Sequence, residues 1–342
     1  MSILFAGILV CSLFALHLVG GWDAFVANLD VARLNVLNFE GLGLSEGNEF
    51  GFWPMVIGGF FLYASYYGCD QSQAQRVLSA RSLTEARRSL ILNGLARFPV
   101  VLLYSTMGLI LGTVVLTHPD FRAMIPHDKP DMMVPTFIVH YLPAGLTGLL
   151  IVAILAAAMS SLDSALNSLS AASVQDLVVR NRRRPLTDRD HLRYSKLFTL
   201  FWGTVCTLMA FAVGNISPTV IEAINKVGSF FYGPILATFM LAILTKRTHS
   251  LGINVGILAG VLLNFCLWIF AGDQVFWFWW NFTGAVTTLS VGYGLSRIIQ
   301  KPEEIKKVLS LDEVGFQKKE TLLLATYFFA IVGFSASLAF LV

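Results

Sequence analysis

Between Ala153 and Asp176 the chain reads AILAAAMSSLDSALNSLSAASVQD, an apolar run studded with small and oxygen-bearing side chains. Ala153, Ala157, Ser160, Ser161, Ser164, Asn167 and Ser168 recur at spacings of three and four, which in a helix places them on one face. Two readings fit such a face. Small residues let two helices approach closely inside a membrane. Alternatively, hydroxyls, helix carbonyls and the Asp163 carboxylate make a hard-oxygen site of the kind that suits an alkali cation. A packing seam has no use for an acid, and an ionised carboxylate at depth is costly unless it meets a cation or a water-filled cavity. The plainer account of Asp163 is that it lies near one end of the span and is solvated.

Two further segments carry polar chemistry. TVIEAINKVGSFFYGPILATFMLAIL, residues 219 to 244, has Gly228, Gly233 and Pro234 in mid-run. A proline removes a donor and a glycine loosens the backbone, so the pattern predicts an interrupted helix with freed carbonyls. Glu222 and Lys226, at i and i+4, are placed to pair. FLYASYYGCDQSQAQRVLSARSLTEARRS, Phe61 to Ser89, ends an apolar run in Tyr63, Tyr66 and Tyr67 and passes into a charged amphipathic stretch. Tyrosines in that place also suit an ordinary interfacial belt.

The elements that position these residues follow from composition. The 342 residues are 56% hydrophobic and 13% charged, with mean hydropathy +0.69. No water-soluble domain carries such a surface, so an all-α polytopic membrane protein is expected. A span needs about 20 apolar residues, and apolar runs predict about nine helices, near 2–20, 51–68, 89–116, 143–177, 195–214, 219–244, 250–271, 275–297 and 321–341. Met1 to Phe5 has no positive n-region, which argues against a cleaved signal peptide. The alternate loops 69–88, 178–196, 245–250 and 297–320 hold 19 of the 24 Lys and Arg residues. The positive-inside rule makes those loops cytoplasmic, with the N-terminus inside and the C-terminus outside the cell membrane. Arg182, Arg183 and Arg184 then anchor topology, and no nucleic-acid partner is implied. Cys11, Cys69, Cys206 and Cys266 sit in or beside apolar runs, where thiols pack and no disulfide framework forms. With no phosphate-binding loop, dinucleotide fingerprint or zinc spacing, an enzyme is not expected, and transport or signalling is left.

Two segments resemble the solute:sodium symporter family. YYGCDQSQAQRVLSARSLTEAR (Tyr66 to Arg87) is similar to its YYG-x-DQ motif, and LPAGLTGLLIVAILAAAMSSLDSALNSLSAASVQDL (Leu142 to Leu177) is similar to its signature helix. The resemblance implies a LeuT-type inverted-repeat fold and symport of sodium, the co-transported ion, with a small polar organic solute. It implies sodium ligation by the carbonyl of Ala157 and the hydroxyls of Ser160 and Ser161, with a second sodium site at Ser160, Asp163 and Ser164 in some members. An acid at 163 departs from the family's usual small or hydroxyl residue. Tyr63 and Tyr66 fall at the family's substrate and gate positions, and a tyrosine in place of the sugar carriers' amide argues against a hexose.

The same resemblance makes residues 2–20 the last helix of the first repeat, 51–244 the second repeat and 250–341 peripheral helices, within one transmembrane domain spanning 1–342. Most of the first repeat is then expected to be missing, with its wall of the sodium site supplied by a longer protein or a separate N-terminal half. On this reading the 342 residues do not transport alone. The alternative is a non-transporting fragment or a membrane sensor on the same fold.

Overall fold

The computed structural model describes residues 2–45, 50–127, 129–182, 185–213, 219–245, 248–299, 318–338 and 340. Arg183 and Arg184, most of the basic loop 297–320 and the predicted helix end at 214 lie outside them. Among the described residues the chain is all-helical, with no strand. The α-helices are α1 (Ser2–Val19), α2 (Trp22–Asn28), α3 (Phe52–Cys69), α4 (Gln71–Leu78), α5 (Leu83–Thr117), α6 (Pro119–Met124), α7 (Met133–Tyr141), α8 (Ala144–Ser173), α9 (Asp188–Val213), α10 (Val220–Leu244), α11 (Ser250–Ala271), α12 (Trp279–Ile298) and α13 (Lys318–Leu338). A π-helical turn, Val174–Val179, extends α8. Six of these, α1, α5, α8 with its extension, α10, α11 and α13, are long and apolar enough to cross a membrane.

Helix starts depart from the apolar runs where polar caps intervene. α5 begins at Leu83, six residues ahead of the predicted 89. The Glu85 amide donates to Ser82 Oγ at 3.2 Å, and the Glu85 carboxylate accepts from the Arg81 amide at 3.1 Å. This is a serine N-cap answered by an acid three residues on. α9 starts at Asp188 for a similar reason: the Asp190 amide donates to Thr187 Oγ1 at 3.2 Å while that hydroxyl donates to Asp190 Oδ2 at 2.9 Å.

The chain packs as two compact units. The first comprises residues 1–35, 80–223 and 337–342. Its core joins Cys11 and Ala15 of α1 to Ile110, Leu111 and Val114 of α5, with Phe121, Phe137 and Leu150 closing it. Gly7 allows the approach of α1 to α8, since a Cβ there would lie 2.3 Å from Leu150 Cδ2. α8 is tied to α9 by Ser170 Oγ donating to the Ser195 carbonyl at 2.8 Å and Trp202 Nε1 donating to Ser173 Oγ at 2.9 Å.

The second unit comprises residues 36–79 and 224–336. Its centre is the α11 and α12 pair. Gly252, Gly256 and Gly260 recur every fourth residue along α11 and meet Gly284, Thr288, Gly292 and Ser296 of α12. A Cβ on Gly256 would lie 2.8 Å from the Thr288 carbonyl oxygen, so the two backbones touch. α3 packs against the start of α12, where a Cβ on Gly58 would meet the Phe278 carbonyl at 2.2 Å.

Candidate functional site

The oxygen row lies on α8, in the first unit. Ser160, Ser161 and Asp163 are exposed, while Ala157 and Ser164 are half-buried. Ser164 Oγ donates to the Ser160 carbonyl at 3.2 Å. Among the described residues the hydroxyls of Ser160 and Ser161 and the Asp163 carboxylate have no hydrogen-bond or ion-pair partner. Their oxygens are therefore not spent on the helix's own carbonyls, unlike those of Ser173, Thr199 and Thr204. The two ends of the row differ. Ala153 lines an apolar cavity of about 100 Å³ with Gly7, Cys11, Ile138 and Leu150. Ser168 is buried, as are Ser170 and Ser173, which pack toward α9. The row is open at Ser160 and Ser161, and again at Asn167. No group of three or more His, Cys, Asp or Glu side chains converges among the described residues, so any ion held here is met by hydroxyls, carbonyls and one carboxylate.

The tyrosines lie in the second unit and separate into two settings. Tyr63 is 46% exposed and, with Val56, Phe60, Tyr67 and Phe328, lines an open groove of about 650 Å³. Its wall is apolar, and the phenols supply the polar handles. Tyr66 points elsewhere: its hydroxyl accepts from Gln73 Nε2. Between them the chain turns at Asp70, which caps α4. Its Oδ1 accepts the Ser72 amide at 2.8 Å, the Gln73 amide at 3.1 Å and the Ser72 hydroxyl. The YYGCDQSQ motif is thus a helix end, a cap and a glutamine that reaches back seven residues to Tyr66. The Tyr232 phenol of α10 comes within electrostatic range of Asp70 and Tyr66, completing this cluster.

The predicted break in the sixth run does not occur: α10 is continuous through Gly228, Gly233 and Pro234. Pro234 cannot donate to the Phe230 carbonyl four residues back. Asn264 of α11 does so instead, its Nδ2 donating at 3.1 Å to Phe230, 3.3 Å to the Ser229 carbonyl and 2.9 Å to the Trp280 carbonyl. Its Oδ1 accepts from Thr283 Oγ1 at 3.1 Å, and Asn281 Nδ2 donates to Ser229 Oγ at 3.0 Å. Ser229, Asn264 and Asn281 are wholly buried. The loosened carbonyl is thus consumed by a side-chain amide and is not available to an ion. Sequence reasoning missed this network, although two asparagines inside apolar runs were its visible signal. The predicted Glu222–Lys226 pair is also not formed: among the described residues neither side chain makes an ion pair, and both are half-buried.

Comparison with known proteins follows this geometry. A family model described as the sodium:solute symporter family matches residues 1–260. The chain is 30% identical over 249 residues to human sodium-coupled monocarboxylate transporter 1, covering 72% of this chain and 40% of that protein. It is 26% identical to the human sodium/iodide cotransporter, over 72% of this chain and 37% of that one. A rabbit sodium-dependent multivitamin transporter is 29% identical, over 66% and 35% of the respective chains. Among solved structures, the substrate-bound outward-open state of a Na+-coupled sialic acid symporter superposes with a TM-score of 0.71 at 22% identity, over 89% of this chain and 61% of that one. That likeness shows the fold, which is LeuT-like. The chain spans about 40% of the length of the curated relatives it matches.

Proposed function

The chain belongs to the sodium:solute symporter family, and on that premise we propose that the whole protein carries a small polar solute across a membrane together with sodium. The observation that carries this reading is the open middle of the α8 row. Ser160 and Ser161 present hydroxyl oxygens that the helix has not used, next to the Asp163 carboxylate. Such oxygens replace part of the hydration shell of a monovalent cation, and the Ala157 carbonyl and Ser164 hydroxyl lie on the same face. The cation's remaining ligands come from residues other than those described, in a longer protein or a separate chain. Sodium as the coupling ion rests on the family, and its gradient drives the solute.

The solute is taken at the Tyr63 groove, and it is an anion. Of the relatives named above, one is a monocarboxylate transporter, one an iodide cotransporter and one a multivitamin transporter, and the solved structure is of a sialic acid symporter. The basic loops face the cytoplasm, which sets the N-terminus inside.

The test is uptake by the full-length protein in proteoliposomes, with inward gradients of sodium or of potassium, across a panel of monocarboxylates, halides and neutral sugars. Uptake of an anionic solute that needs sodium, and that needs more of it in Ser161→Ala, supports the reading. Uptake indifferent to sodium overturns it.

A further inference from the structure

The segment joining α8 to α9 concentrates positive charge that the transport reading leaves idle. Among the described residues, Arg180, Arg182, Arg189, Arg193 and Lys196 are all exposed, and none is ion-paired. Arg189, Arg193 and Lys196 stand four and three apart in the first turns of α9, so they form a stripe on one helix face. Arg182 is held on a different face of α9: its Nη2 donates to the Tyr194 hydroxyl at 2.8 Å and its guanidinium carbon lies 5.3 Å from the ring centroid. The facing acids are few. Asp190 is engaged with Thr187, leaving Asp188 at the helix start and Asp176 in the π-helical turn. Within the next two turns Leu192, Leu197, Leu200 and Phe201 are each more than half exposed.

We infer that the first turns of α9 bind the headgroup of an anionic phospholipid, with Arg189, Arg193 and Lys196 around the phosphate and the exposed leucines along the acyl chains. Charge alone would equally serve a soluble anion. The continuity of the cationic stripe with an apolar helix surface selects an amphiphile, because only that partner satisfies both faces at once. Each cation near an anionic surface contributes on the order of fivefold in affinity, so three together give on the order of 100-fold before screening by salt.

The experiment is native mass spectrometry of the purified full-length protein, delipidated and titrated with phosphatidylglycerol or with phosphatidylcholine of identical acyl chains. The wild type is expected to retain phosphatidylglycerol at least tenfold more than phosphatidylcholine, and R189Q/R193Q/K196Q to lose that preference. R189K/R193K/K196R should keep it. Equal retention of the two lipids by wild type overturns the proposal, as does an unchanged preference in the glutamine variant. An equal loss in R76Q/R88Q, which removes exposed charge elsewhere, also overturns it. If the glutamine variant does not fold, wild-type selectivity must still fall steeply with added salt, and selectivity that salt does not alter overturns the assignment.

Discussion

Asn264 stands in for the amide that Pro234 lacks. Its Nδ2 donates at 3.1 Å to the Phe230 carbonyl, so a residue of α11 repairs the hydrogen-bond ladder of α10. Removing it strands a carbonyl in a fully buried place. Asn264→Leu is therefore expected to lower stability by about 1–3 kcal/mol, read as a drop in the thermal midpoint in detergent. Pro234→Ala in that background restores an amide at the right position and should recover part of the loss. A double-mutant cycle with no coupling would show that the two residues are not linked.

The glycines divide by what surrounds them. A Cβ on Gly260 would lie 2.2 Å from Thr288 Oγ1 and 2.7 Å from the Gly284 carbonyl oxygen, while one on Gly108 of α5 meets nothing within 4 Å. Gly260→Ala should destabilise by about 1–3 kcal/mol through overpacking. Gly108→Ala should stabilise by about 0.5–1 kcal/mol, because alanine loses less backbone freedom in a helix. Both are measured by the same thermal scan, and the opposite signs are the point of the comparison.

Ser160→Ala and Ser161→Ala remove oxygens that hold nothing within the described structure. Stability should stay within about 0.5 kcal/mol of wild type. In the full-length protein the sodium concentration for half-maximal uptake should rise on the order of tenfold, the cost of about one ion–oxygen contact. Asp163→Asn separates charge from shape. If it leaves sodium dependence unchanged while Ser161→Ala shifts it, the acid belongs to solvation and not to the ion.

Tyr63 and Tyr66 should fail differently. Tyr63→Ala opens the groove wall and should raise KM for the solute several-fold with little change in kcat. Tyr66→Phe deletes the acceptor of the Gln73 side chain while keeping the ring that meets Tyr67 of the groove at 5.2 Å between centroids, and should act mainly on kcat. Matching effects in the two variants would undo the division of roles.

The sequence made the helical class and the faces of the helices legible, because hydropathy and a 3.6-residue period are local properties. What those faces meet is not local. The spacing of Ser160, Ser161 and Ser164 gave a shared face but not its exposure, and it gave Ser168 the same status although Ser168 is buried. Gly233 and Pro234 read as a break because the repair comes from Asn264, 30 residues away in sequence. Glu222 and Lys226 stand at pairing distance in any helix, yet among the described residues neither forms an ion pair. The caps at Ser82, Asp70 and Thr187 were readable as motifs, and attention to apolar runs alone passed over them.

Where Gly256 faces Thr288 and Gly292, main chain rests on main chain with no side chain between. Side chains are what allow neighbouring helices to slip, since they can change rotamer and take up new interlocking positions. Stripped of that freedom, α11 and α12 have one register to occupy. Any rocking or shear during a carrier cycle must leave these two elements travelling as a single beam, with bending confined to elements joined more loosely.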